Sequence, residues 1–140
     1  MEKFEFVDIT TADVAFYAYG KTLDNLFSNA ALAMFEVMIN TGQIKPKITK
    51  NLKVKGNDLE SLMFNWLNAL LVYVDGSSLA FSKFNVKVDG KKFSMVAECI
   101  GEKIDSKRHE TRTEVKAATY HKLEINKEDD YWKARVIIDI

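Results

Sequence analysis

Phe84-Asn85-Val86-Lys87-Val88-Asp89-Gly90-Lys91-Lys92-Phe93-Ser94-Met95-Val96-Ala97-Glu98-Cys99 is the stretch on which the fold turns. Phe84, Val86 and Val88 alternate with polar residues up to Asp89-Gly90, and Phe93, Met95, Ala97 and Cys99 alternate after it. Period-two patterning on both sides of Asp-Gly is a strong hairpin signal. Upstream lies a helix: Leu59, Leu62, Met63, Trp66, Leu67, Leu70, Leu71 and Val74 recur at three and four. Asn57 is its expected cap, with Glu60 at the capping-box position and Asp75-Gly76-Ser77-Ser78 as its stop. Ile48, Leu52 and Val54 suggest a strand through 47–55. Before it, Leu23, Leu26, Phe27, Ala30, Met34, Phe35 and Met38 mark a helix that Thr22 caps and Asn40-Thr41-Gly42 ends. Phe4 and Phe6, then Val14, Phe16 and Ala18, read as two N-terminal strands. Downstream, Val115, Ala117, Thr119, His121, Leu123 and Ile125 read as one strand, residues 126–130 as a turn, and Trp132, Ala134, Val136 and Ile138 as a last strand. The order ββαβαββββ predicts an α+β class, a single compact domain over residues 1–140, with two helices packed against antiparallel sheet.

Composition narrows the function. The chain has 140 residues, enough for a core without staples. Twenty basic and twenty acidic residues cancel, so global charge does not drive nucleic-acid binding, although a local basic patch is allowed. One cysteine excludes a disulfide framework, and two histidines exclude a His-rich metal centre. No apolar run suits a signal peptide or a membrane span, so a soluble, cytoplasmic protein is expected. No glycine-rich phosphate loop is present, and no nucleophile has a base at a diagnostic spacing. Cys99, Trp66 and Trp132 sit on apolar parities and read as core, as does His121.

Lys45-Pro46-Lys47-Ile48-Thr49-Lys50-Asn51-Leu52-Lys53-Val54-Lys55 holds five lysines and no acid. It reads as a lysine-guarded edge strand, or as a docking stripe for RNA or an acidic protein surface. The absence of interleaved aromatics weakens the RNA version.

A set of short motifs, in order from end to end, resembles the archease family, protein cofactors of the GTP-dependent RNA ligase that joins 3′-phosphate or cyclic-phosphate ends. They are Thr11-Ala12-Asp13, Ala18-Tyr19-Gly20-Lys21-Thr22-Leu23, Ala30 to Phe35, Trp66-Leu67-Asn68, Gly101 to Asp105, Arg108-His109-Glu110, Glu114 to His121, and Ala134 to Ile140. The family's usual His-Thr-Ala-Asp is here Thr10-Thr11-Ala12-Asp13, so that histidine's role is missing or reassigned. The resemblance also implies helices sandwiched between β layers.

Asp13 and Asp139 lie at strand ends, and spacing alone does not pair them. Read without the family, they are solvated carboxylates or two donors of an oxygen-ligand site for a hard cation. The resemblance implies a divalent metal site at Asp13, Asp139 and Ile140, with Ca²⁺ expected and Mg²⁺ or Mn²⁺ as alternatives. Asp105 and His109, in a charged loop, are candidates for lining a site or meeting a partner.

The resemblance implies a non-enzymatic cofactor that promotes guanylylation and repeated turnover of the tRNA-splicing ligase, touching tRNA only indirectly. The alternatives are a metal-dependent phosphoesterase using the same acids, and an RNA-binding or chaperone-like module.

Overall fold

The structure, a computed structural model, describes residues 2–140. Its elements run β1 (Phe4–Ile9), β2 (Asp13–Gly20), α1 (Leu23–Met38), a 3-10 turn at Thr41–Gln43, β3 (Ile48–Lys55), α2 (Leu59–Ser77), β4 (Leu79–Asp89), β5 (Ser94–Lys103), β6 (Ala117–Ala118), β7 (Glu124–Lys127) and β8 (Trp132–Asp139). They form two antiparallel sheets. One is ordered β1-β2-β8-β6, with β7 also paired to β8; the other is ordered β3-β5-β4. Helix α1 packs on β2 and β8 of the first sheet and on β4 of the second. Helix α2 packs on β3, β4 and β5 and on β6 and β7. The helices therefore fill the space between two sheets, the expected α+β sandwich.

The core is one cluster. Phe16 and Ala18 of β2 meet Leu26, Phe27, Ala30, Met34 and Phe35 of α1, Leu62 to Leu70 of α2, and Ala134, Val136 and Ile138 of β8. Trp66 is fully buried, and its indole N–H donates to the Phe27 carbonyl at 3.0 Å, the partner a buried Trp needs. Cys99 is buried and free, and desolvation pushes its thiol up to about 12, so it is packing rather than chemistry. Gly101 is required by close approach: a Cβ there would collide with the Ala80 carbonyl on β4.

Local chemistry shifts three of the expected boundaries. Helix α1 starts on Thr22, whose hydroxyl accepts from the Asn25 N–H at 3.1 Å. Helix α2, however, is capped by Asp58 rather than Asn57. The Asp58 carboxylate accepts from the Ser61 N–H at 2.7 Å while Ser61 Oγ accepts from the Asp58 N–H at 3.1 Å, so Ser61, not Glu60, closes the capping box. The β4–β5 connection is a four-residue turn, because Asp89 pairs with Ser94. Asp89 Oδ1 accepts from both the Lys91 and Lys92 N–H groups, and the left-handed position falls on Phe93 (φ 53°) rather than on Gly90. The strand expected over 115–125 is broken: β6 holds only Ala117–Ala118, the chain turns through Tyr120–Lys122 with Lys122 left-handed (φ 55°), and β7 begins at Glu124. His121, expected in the core, lies exposed in that turn.

Candidate functional site

Asp13 opens β2 and Asp139 closes β8. The antiparallel register sets them directly opposite each other, and Ala117 of β6 faces Asp139 from the other side. Directly opposed residues of an antiparallel pair sit side by side on one face, with Cβ atoms about 4.5–5.5 Å apart. Both acids are half-buried.

The surrounding backbone is tied down by hydrogen bonds. Thr10 Oγ1 accepts from the Ala12 N–H (3.2 Å) and the Asp13 N–H (3.0 Å), closing the β1–β2 turn. This is the local task of the residue standing where the family resemblance expects histidine. The Ile140 N–H donates to the Ala12 carbonyl at 2.9 Å, and the Lys116 N–H donates to the Asp139 carbonyl at 2.8 Å. Thr119 donates twice, through N–H and hydroxyl, to the Ile137 carbonyl. The short β6 is held from inside by Asn68 of α2: its Oδ1 accepts from the Ala118 N–H at 3.0 Å and its Nδ2 donates to the Ala118 carbonyl at 3.1 Å. Asn68 therefore reaches Asp139 through one strand, which explains why an amide belongs in the Trp66-Leu67-Asn68 motif.

Electrostatically the pair is unrelieved. The Asp13 carboxyl is held above its ordinary value, first by hydrogen bonding to the Asp139 carboxyl, then by desolvation and by the Asp139 charge; His121 alone opposes the shift. Two carboxyls in this state favour a shared proton or a cation. The donors on hand are all oxygens, Asp13, Asp139 and the Ile140 backbone, which suits a hard divalent ion rather than a thiophilic one. Among the described residues no third His, Cys, Asp or Glu joins them in ligating range.

Asp105 and His109 are placed elsewhere, and no hydrogen bond or ion pair joins them to Asp13 or Asp139 among the described residues. His109 is buried beside Glu102, the other buried polar residue. Its Nδ1 accepts from the Asp105 N–H at 2.9 Å, so the ring proton sits on Nε2, which donates to Glu102 Oε2 at 3.0 Å. Burial pushes the Glu102 carboxyl up, but the Arg108 guanidinium, the Lys45 N–H and His109 override it and bring it down to about 2. Lys47 adds a longer contact at 3.8 Å. Asp105 itself is exposed, and its carboxylate accepts from the Lys107 N–H. The His109 ring and the Glu102 and Asp105 carboxylates are thus spent on pinning the 103–109 loop.

The sequence profile of the Archease protein family (MTH1598/TM1083) matches residues 4–140. The chain belongs to the archease family. It is 44% identical to the protein archease of Sulfurisphaera tokodaii over 140 residues, all of both chains. It is likewise 44% identical over 142 residues to the archease of Methanothermobacter thermautotrophicus, again covering both chains fully. The solution structure of Methanobacterium thermoautotrophicum protein 1598 superimposes with a TM-score of 0.86, at 44% identity and full coverage of both chains. The crystal structure of a Thermotoga maritima archease, described as a possible chaperone, shares the fold at a TM-score of 0.65 and 22% identity, with 94% of this chain and 93% of that one covered. The archease sandwich is thus the frame that brings the two acids together. No helix among the described residues is long and apolar enough to cross a membrane.

Two contributors escaped the sequence reading. His121 is the one group that lowers the Asp13 carboxyl, yet its alternation with Leu123 and Ile125 assigned it to the core. Asn68 lies on an apolar helix, and a polar residue amid Leu67, Leu70 and Leu71 was the signal available.

Proposed function

We propose that this chain is a non-enzymatic protein cofactor of the GTP-dependent RNA ligase of tRNA splicing, acting in the cytoplasm to promote ligase guanylylation and repeated turnover. The observation that carries the reading is the in-register pairing of Asp13 with Asp139, in which the Asp139 carboxyl raises rather than relieves the charge cost of Asp13. Asp13, Asp139 and Ile140 would hold a divalent cation, Ca²⁺ by family resemblance, or Mg²⁺ or Mn²⁺. When bound, such an ion supplies charge neutralisation at phosphate oxygens. The chain's own part is to present the acids. β2 and β8 fix their separation, the Thr10 hydroxyl fixes the turn before Asp13, and Asn68 fixes β6 beside Asp139. The acids would face the ligase nucleotide site, and tRNA would be touched only through the ligase.

A phosphoesterase built on the same acids needs a general base beside the reacting water. The group that acts on Asp13 is His121, in an exposed turn and with no hydrogen-bonding partner among the described residues to orient it, so the cofactor reading fits better. The test mixes radiolabelled GTP, purified ligase and Mn²⁺, with and without this protein. Faster labelling of the ligase is expected, lost on Asp13→Ala or Asp139→Ala. Label on this protein, or an unchanged rate of ligase labelling, overturns the reading.

A further inference from the structure

The acid pair belongs to a larger face. The helices cover the side of the first sheet on which Val14, Phe16 and Ala18 of β2 and Ala134, Val136 and Ile138 of β8 are buried. The alternate residues turn the other way. The register sets them in rows: Asp13–Asp139, then Asp8–Ala15–Ile137, then Glu5–Tyr17–Arg135–Glu124, then Tyr19–Lys133–Asn126. β2 begins at Asp13 and β8 ends at Asp139, so the sheet face runs from the pair in one direction only, toward Tyr17 and Arg135. The far rows are aromatic and cationic. The Tyr17 and Tyr19 rings lie 6.4 Å apart, and Lys133 Nζ stands 4.1 Å from the centre of the Tyr17 ring. The Tyr19 hydroxyl reaches Glu5 at 3.4 Å. Arg135 has no carboxylate within 4.0 Å among the described residues, although Glu124 is its partner in register. Tyr17 and Arg135 are each only half-buried.

We propose that Tyr17 and Arg135 anchor a protein partner on this face, namely the ligase whose nucleotide site receives the acid pair. The inference rests on the cofactor reading above. A protein that closes over Asp13 and Asp139 from their own face also covers the rows beside them. Four residues of strand separate Asp13 from Tyr17, about 13 Å. A standard interface covers about 800 Å² on each partner, a disc of about 16 Å radius. Because the face runs one way from the pair, that area takes in Tyr17 and Arg135. Tyrosine and arginine are the types that dominate binding energy at protein interfaces. Lys133 holds the Tyr17 ring in place before binding, which lowers the cost of ordering it. The unpaired Arg135 fork matches a carboxylate presented by the partner. A nucleic acid fits this face poorly: Glu5 and Glu124 bound the Tyr17–Arg135 row, and Asp8, Asp13 and Asp139 follow it, so phosphates would meet five acids.

The test titrates the full chain into purified ligase, radiolabelled GTP and Mn²⁺, without RNA, and reads the rate of ligase labelling. R135E and Y17A should raise the concentration for half-maximal stimulation about tenfold or more while keeping the maximal rate. R135K, which keeps the charge but loses the fork, should fall between R135E and the parent. D13A should instead abolish the maximum at every concentration. K83E, on the second sheet, should change nothing. Melting temperatures control for folding. Should Y17A unfold, R135E carries the test, because Arg135 makes no ion pair within the fold. A half-maximal concentration unchanged in R135E, or raised equally by K83E, overturns the proposal and leaves the cofactor reading standing. A fluorescent RNA of about twelve nucleotides that binds the parent and is lost on R135E would overturn it in favour of nucleic acid. A parent that does not stimulate the ligase, or full stimulation by D13A, overturns the cofactor reading and this inference with it.

Discussion

Two carboxylate sites in this molecule have opposite electrostatics. Glu102 is almost fully buried, yet three partners and a longer lysine contact hold its carboxyl down at about 2. Asp13 is half-buried, yet its carboxyl is pushed up, because its nearest partner is another acid. Burial therefore does not separate an uncompensated acid from a compensated one. What separates them is whether the fold supplies the compensating charge or leaves it to be brought from outside.

The sharpest way to break the comparison is to remove the compensated acid. Glu102→Ala leaves the Lys45 N–H and the His109 ring without an acceptor, and should cost about 2–3 kcal/mol in urea unfolding. The Asp13 and Asp139 pair should do the reverse. Asp13→Asn or Asp139→Asn should raise the melting temperature of the ion-free protein slightly, while abolishing any stabilisation by added Ca²⁺ or Mn²⁺. A melting temperature that drops, or an ion-dependent shift that survives, would remove the distinction.

Between these two effects lies the strut behind the site. Asn68→Ala orphans both the N–H and the carbonyl of Ala118, and should cost about 1–2 kcal/mol. Because β6 flanks Asp139, the variant should also weaken the ion-dependent shift. Asn68→Asp, which keeps the acceptor but loses the donor, should fall between Asn68→Ala and the parent in urea.

The smallest effect is in the pH profile. The Glu102 carboxyl is depressed in the fold, so its stabilisation is complete above about 4.5 and is lost as pH falls toward about 2. The Asp13 carboxyl is raised, so its contribution is favourable below 3.8 and is lost as pH rises through the folded value. Carboxyl titration by NMR should find Asp13 above Glu102; the opposite order would contradict the contrast.

What the sequence made legible follows the same physics. Both helices and β8 could be read because burial on one side imposes a local period, 3.6 or 2, that Leu62-Met63-Trp66 or Trp132-Ala134-Val136 spell out directly. Residues 115–125 also alternate, and Val115, Leu123 and Ile125 are indeed buried, but the chain between them leaves the sheet at Tyr120–Lys122. An in-phase turn carries no mark in a periodicity. The pairing of Asp13 with Asp139 was illegible for a different reason: register between remote strands is set by the whole core, not by the residues that end up opposite each other. The His109 loop looked solvated because its charges are local, whereas the acid that buries it, Glu102, sits on a neighbouring strand.

The register of β2 against β8 also has a kinetic meaning. These strands come from nearly opposite ends of the chain, and β8 is the strand to which β2, β6 and β7 all pair. Contacts between remote segments must overcome loop-closure entropy before they gain anything, which makes them slow to form. The three-stranded sheet and α2 need no such closure, since β3, α2, β4 and β5 follow one another. The acid pair therefore depends on the most distant strand pairing in the chain. The two carboxylates are brought side by side only when both ends of the chain have joined the same sheet.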